Sequence, residues 1–220
     1  MEPMSENWSA TDTYLADFLV GDDPTLDDAL AANAAAGLRP IDVAPVQGKF
    51  LHLLARIRGA RRVLEIGTLG GYSTIWLARA VGESGHVTTL EYEPRHAEVA
   101  RVNLDRAGVG ERVDIRVGAA LDTLPELEGP FDLVFIDADK ENNSNYVREA
   151  LRLSRPGTVI VVDNVVRAGA ISDLDDDDPN ARASRELVAV LAAEPRLDAT
   201  ALQTVGVKGW DGFALALVVE

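Results

Sequence analysis

The sequence predicts an α/β protein built on a mostly parallel, doubly wound sheet, and three observations carry that prediction. After Gly59, short strand-type runs alternate with helical periodicities, the pattern of repeated βα units. Two of those runs, at 131–137 and 158–163, are almost continuously apolar, as parallel strands covered on both faces are. The last two apolar runs, 197–205 and 213–219, are joined by the glycine-rich link Gly206-Val-Lys-Gly-Trp-Asp-Gly212, which predicts a hairpin and an antiparallel final strand.

The first 58 residues read as helices. Tyr14, Leu15, Phe18 and Leu19 mark one apolar face, and Leu26 and Leu30 with an alanine-rich stretch mark a second. Val46, Phe50, Leu53, Leu54 and Ile57 mark a third. Pro24 fits the first turn of the second helix and Gly37 its stop. Strands are then predicted at 62–66, 86–91, 113–117, 131–137 and 158–163. Helices are predicted at 73–81, 94–107, 121–124, 143–153 and 181–193. At 220 residues the chain suits a single domain, 1–220, with N-terminal helices over 1–58 and an α/β core over 59–220. The acidic run 173–178 interrupts the core pattern and reads as a solvated loop.

Composition excludes several classes. There are no cysteines, which removes disulfides, thiolate zinc sites and cysteine nucleophiles. A net charge of −15 opposes nucleic-acid binding, which needs a basic surface. No stretch approaches the ~18 apolar residues of a membrane span. The first 20 residues carry Glu2, Glu6, Asp12 and Asp17 and no basic residue, unlike a secretory signal. A cytoplasmic location is therefore expected. The histidines His52, His86 and His96 show no mutual spacing logic and read as structural or exposed. Trp8 and Trp76 read as packing residues, and Trp210 as an aromatic at the hairpin turn.

The chemistry is concentrated at strand ends. Phe131-Asp-Leu-Val-Phe-Ile-Asp137-Ala-Asp139-Lys140 and Val159-Ile-Val-Val-Asp163-Asn164 each end in oxygen-bearing side chains, at the place where open α/β sheets bind ligands. Asp137, Asp163 and Asn164 form a hard-oxygen set suited to a divalent cation, Mg²⁺ first and Mn²⁺ or Ca²⁺ as alternatives. Lys140, one of only three lysines, puts an ammonium beside them. Either aspartate alone could simply cap the following helix, but their joint placement with Asn164 and Lys140 favours a site.

Val63-Leu-Glu65-Ile-Gly67-Thr-Leu-Gly70-Gly71-Tyr-Ser73 runs from strand through a glycine turn into a helix. It departs from the dinucleotide fingerprint, because Leu69 stands where a second glycine would admit a pyrophosphate. Glu91 ends the next strand, 20 residues after Gly71, where an acid accepts ribose hydroxyls. The pair favours a nucleoside without phosphates. S-adenosylmethionine fits, with Glu65 an acid near its ammonium group.

With these segments and the Gly206–Gly212 link, the chain from about 43 to 219 resembles the class I methyltransferases, and more narrowly the cation-dependent O-methyltransferases of the catechol and caffeoyl-CoA type. The resemblance implies a Rossmann-like, seven-stranded sheet of order 3-2-1-4-5-7-6 with extra N-terminal helices. It implies metal ligation by Asp137, Asp163 and Asn164, and Lys140 as general base. It further implies cofactor contacts at Val43, Gly67, Ser73, Glu91 and Ala120, with Asp137 and Asp139 in the cofactor–substrate pocket, and a homodimer built partly from the N-terminal helices. One departure stands out: Arg167 occupies a position near the Asp-Asn pair where relatives often carry an aromatic wall of the acceptor pocket.

The expected activity is S-adenosylmethionine-dependent O-methyl transfer to a small hydroxylated aromatic with vicinal hydroxyls, which a bound cation chelates and Lys140 deprotonates. If Arg167 faces the pocket, carboxylated acceptors should be preferred. The alternatives are a nicotinamide-dependent oxidoreductase and a non-catalytic S-adenosylmethionine-binding protein. Leu69 and the metal set disfavour the first, and the intact Asp137, Lys140, Asp163 and Asn164 constellation disfavours the second.

Overall fold

A computed structural model describes residues 4–220. Helices α1 (Met4–Leu19), α2 (Pro24–Ala35) and α3 (Pro45–Arg58) precede the alternating core. There follow β1 (Arg62–Ile66), α4 (Tyr72–Val81), β2 (His86–Glu91), α5 (Pro94–Arg106), β3 (Val113–Val117) and α6 (Ala120–Thr123). The remainder is β4 (Leu133–Ile136), α7 (Asn143–Arg152), β5 (Val159–Asp163), α8 (Pro179–Ala193), β6 (Leu197–Gly206) and β7 (Gly209–Val218). The strands form one seven-stranded sheet in the order β3-β2-β1-β4-β5-β7-β6, as the resemblance implied.

The chain packs as two compact units, Leu15–Leu127 and the N-terminal stretch to Tyr14 with Glu128–Glu220. In the first, β1, β2 and β3 are parallel, with Val63 level with Val87 and Val87 with Val113. Val63, Leu64, Ile66 and Val87 are fully buried, as the apolar runs require. Pro24 occupies the first turn of α2, and Asp23 caps that helix by accepting the Leu26 amide at 3.3 Å. Gly37, at φ 74°, turns the chain out of α2.

In the second unit β4 and β5 run parallel, Ile136 level with Val162, and β7 runs antiparallel to β5 and β6. β4 and β5 are buried along their whole length, whereas β6 is exposed along nearly all of its length. Asp12 of α1, itself buried, accepts the Val207 amide at 3.0 Å and fastens that helix to the hairpin.

The hairpin corrects the sequence reading. The ladder continues through Val205–Trp210 to Gly206–Gly209, so Val207 and Lys208 alone form the turn. Trp210, Asp211 and Gly212 belong to β7 rather than to a loop, because the glycines and polar residues there serve close packing instead of flexibility. A Cβ on Gly212 would overlap the Leu202 carbonyl of β6 and lie 2.7 Å from Val166 Cγ2. β1, β2 and β3 keep their predicted bounds, and outside the hairpin the other strands and helices of the core shift by one or two residues at an end. The predicted strand at 131–137 shortens to β4, since Phe131 and Asp132 form the entry to it and Asp137 the exit.

Candidate active site

In the unit Leu15–Leu127 the glycine turn follows β1. Gly67 (φ 99°) and Gly71 (φ 85°) take left-handed backbone that glycine adopts without strain. Leu69 lies there too, at φ 48°, and something must hold it. Glu91 does so. Its Oε2 accepts the Thr68 amide at 3.0 Å and the Leu69 amide at 2.8 Å. Its Oε1 accepts the Glu93 amide at 3.0 Å and lies 3.1 Å from His96 Nδ1. The predicted ribose acid therefore sits against the turn and also shapes it, and His96 has a partner that its sequence position did not disclose.

Glu65 is fully buried. Its carboxylate accepts the hydroxyls of Ser73 at 2.6 Å, Thr74 at 2.5 Å and Thr89 at 2.7 Å, while Thr68 Oγ1 lies 2.6 Å from Thr89 Oγ1. Hydroxyl donors satisfy the oxygens of a buried carboxylate. Glu65 thus fixes Ser73 at the start of α4. Val43 is buried ahead of α3, and Ala120, half-buried, opens α6.

Two asparagines that the sequence reading missed buttress the turn. Asn103 of α5 donates to the Gly70 carbonyl at 2.9 Å and to Asn33 Oδ1 at 3.0 Å. Asn33 of α2 donates in turn to Asp42 at 2.8 Å, beside Val43. A side chain at Gly70 would overlap the Asn33 amide. A polar residue inside the alanine-rich stretch of α2 was the available signal.

In the unit containing Glu128–Glu220, Asp137 and Asp163 lie at the same ends of two neighbouring parallel strands. Ile136 is level with Val162, and parallel strands lie ~4.8 Å apart, so the next residue of each emerges beside the other. Asp163 is buried and accepts the Asn164 amide at 2.8 Å. Asn164 has φ 60°, a conformation asparagine tolerates better than most residues. Lys140 Nζ is 2.6 Å from Asp137 Oδ1.

Asp139 is exposed but fixed. It accepts Asn142 Nδ2 at 2.5 Å and the phenol of buried Tyr146 on α7. Burial, reinforced by that aspartate, raises the Tyr146 phenol above its ordinary value and keeps it a donor.

Among the described residues no group of three or more His, Cys, Asp or Glu side chains is placed to hold a metal. A set of two carboxylates and one amide oxygen nevertheless fits Mg²⁺, which retains several waters and takes few protein ligands. Arg167 belongs to a different grouping. Its guanidinium is 3.9 Å from the Asp211 carboxylate, and its Nε is buried without a hydrogen-bond partner. Trp210 donates its indole N–H to Gln203 at 3.0 Å, and Trp76 is a buried packing residue edge-on to His52.

Comparison with known proteins adds independent findings. A family model described as O-methyltransferase matches residues 18–218. The chain is 64% identical over 208 residues, 94% of each sequence, to a catechol O-methyltransferase of Mycobacterium tuberculosis. A Bacillus cereus O-methyltransferase solved in complex with SAH superposes with a TM-score of 0.96 at 54% identity, covering 98% of this chain and 100% of that one. An O-methyltransferase of Streptomyces achromogenes involved in tomaymycin synthesis, solved in complex with SAM, gives 0.95 at 48% identity, with both chains fully covered.

Proposed function

Because the chain belongs to the O-methyltransferase family, we propose that it moves the methyl group of S-adenosylmethionine to one hydroxyl of a small catechol-type aromatic, with a divalent cation held by Asp137, Asp163 and Asn164. The observation that carries this reading is the emergence of Asp137 and Asp163 side by side from β4 and β5, with Lys140 Nζ 2.6 Å from Asp137. The SAM bound to one relative, the SAH bound to a second and the catechol activity named for a third support it.

When bound, the cation supplies charge that makes vicinal hydroxyls more acidic and fixes their orientation. The chain's own residues do the rest. For Lys140 Nζ to take the hydroxyl proton, its ammonium first gives a proton to solvent and its pairing with Asp137 loosens, which frees that carboxylate for the cation it would hold. The acceptor oxygen then forms a bond to the methyl carbon as the carbon–sulfur bond breaks. The bonding pair leaves with sulfur, giving S-adenosylhomocysteine. Asn142 and Tyr146 keep Asp139 in place beside this chemistry.

On the cofactor side, Gly67 and Gly71 leave room for the nucleoside. Ser73, held by Glu65, Val43 and Ala120 complete its surroundings. Glu91 binds the ribose by exchanging some of its present donors for the two hydroxyls. For the acceptor, the proximity of Asp211 to Arg167 offsets the guanidinium charge. That favours neutral catechols over carboxylated ones. The homodimer remains part of the proposal, supported by the exposed Phe18 and Ile57 at 72% and 83%. Sedimentation would detect it.

The test is a panel of catechols, their carboxylated analogues and monophenols, incubated with S-adenosylmethionine and Mg²⁺ and read by mass spectrometry. Methylated catechols are expected. Transfer to monophenols and not to catechols would contradict the chelation reading.

A further inference from the structure

We propose that Asp211 is the positioning residue for the segment that presents Asp163 and Asn164, locking a backbone that would otherwise relax away from the geometry the ligands need. The inference rests on the reading of those two residues as cation ligands.

The segment after β5 is unusual in its backbone. Asn164, Arg167 and Ala168 all have positive φ, at 60°, 56° and 53°, and Gly169 follows at 90°. For Arg and Ala this region is disfavoured, and such a run persists only where surrounding contacts over-determine it. Those contacts converge on one atom. Asp211 Oδ1 accepts the amides of Val166 at 2.9 Å, Arg167 at 3.0 Å and Gly212 at 2.9 Å. Successive backbone amides turned toward one point form an anion-binding nest, and here the anion is a side chain of the neighbouring strand. The second oxygen of Asp211 faces the Arg167 guanidinium at 3.9 Å.

The rest of β7 is shaped to the same segment. The Gly212 carbonyl accepts the Val165 amide at 3.0 Å, closing the ladder that pairs Asp163 with Phe213. Gly169 lies under Trp210, where an added Cβ would come 2.7 Å from Cη2 of the indole. The Trp210-Asp211-Gly212 sequence is thereby accounted for. The indole covers the end of the segment, the carboxylate gathers its amides and the glycine admits its backbone. Nothing in this arrangement places Asp211 on an acceptor or a cation, so it acts through the ligands that it positions.

Asp211→Asn tests this, because an amide keeps the shape, removes the charge and turns one oxygen into a donor. Mn²⁺ alone serves as the probe, titrated by electron paramagnetic resonance into the full chain, with circular dichroism and S-adenosylmethionine calorimetry run alongside. The expected result is a Kd for Mn²⁺ raised about tenfold or more, with unchanged secondary structure and unchanged cofactor affinity. Wild-type Mn²⁺ affinity in folded Asp211→Asn overturns the proposal. If that variant fails to fold, Asp211→Glu, which keeps the charge but displaces the carboxylate from the three amides, is titrated instead. Reduced affinity there supports the proposal and wild-type affinity overturns it. Asp163→Ala separates the two readings. If the wild type binds Mn²⁺ no better than Asp163→Ala, the ligand assignment fails and this inference with it. If Asp163→Ala loses binding and the Asp211 variants do not, only this inference fails.

Discussion

Lys140 Nζ lies 2.6 Å from Asp137 Oδ1, with both side chains mostly withdrawn from solvent. One three-residue step thus joins the proposed proton acceptor to a proposed metal ligand. The same turn fixes Asp139 through Asn142 and Tyr146, so the chain from 137 to 146 behaves as one preorganised piece.

Removing the amine should leave cation binding in place and slow the chemistry. Lys140→Ala is expected to lower kcat by about 10²–10⁴-fold, the range for a lost general base. Mn²⁺ affinity should hold or improve, since Asp137 loses a competing partner. Part of the rate should return as pH rises and hydroxide replaces the amine. A Lys140→Ala enzyme with wild-type kcat would remove Lys140 from the mechanism.

Glu91 does two jobs, so its loss should show twice. Glu91→Ala is expected to weaken S-adenosylmethionine binding by roughly 1.5–3 kcal/mol, as for lost charge-assisted hydrogen bonds. It should also lower the unfolding midpoint, because Leu69 loses the acceptor that holds its left-handed backbone. Calorimetry with S-adenosylmethionine and with NAD reads the first effect. Tight NAD binding without S-adenosylmethionine binding would reject the cofactor assignment.

The asparagine pair under the turn makes a separate prediction. Asn103→Ala strips a donor from Gly70 and Asn33 in a buried setting, which costs about 1–3 kcal/mol per unsatisfied group. Denaturant unfolding should show that loss, and cofactor affinity should fall with it. An Asn103→Ala chain as stable as the wild type would show that the network is incidental.

Asp23 gives a stability prediction far from the chemistry. It caps α2 and pairs with Arg79 at 2.5 Å, and that hydrogen bond, against some desolvation, holds its carboxyl below the ordinary value. A group depressed in the folded state stabilises above its unfolded value of ~4 and loses that contribution as pH falls through the folded value. Asp23→Ala should therefore cost about 1 kcal/mol at neutral pH, mostly as a lost cap. The gap from wild type should close in acid. A gap independent of pH would assign the loss to helix propensity alone.

Much of this was legible in the residues because apolar periodicity and strand-end polarity are local signals. β1, β2 and β3 fall where the alternation placed them, and Asp137, Lys140, Asp163 and Asn164 were visible as polar ends of apolar runs. The glycine link misled because glycine at 206 and 212 answers close contacts with Asp12 and Val166, not a need for loop freedom. Asn103, His96 and Asp211 were silent for a related reason. Asn103 and Asp211 act on backbone distant in sequence and His96 acts across the turn between β2 and α5, and a periodicity records burial without recording partners. The strand order came from resemblance, since alternation alone does not specify which strands are neighbours.

The most direct measurement of the central claim is methyl transfer to a catechol by the wild-type chain, assayed by mass spectrometry in excess chelator and again after Mg²⁺ is restored. The account predicts no transfer in chelator, recovery with Mg²⁺, and no recovery for Asp163→Ala, whose S-adenosylmethionine affinity stays near wild type. Full transfer by the wild type in chelator would contradict it.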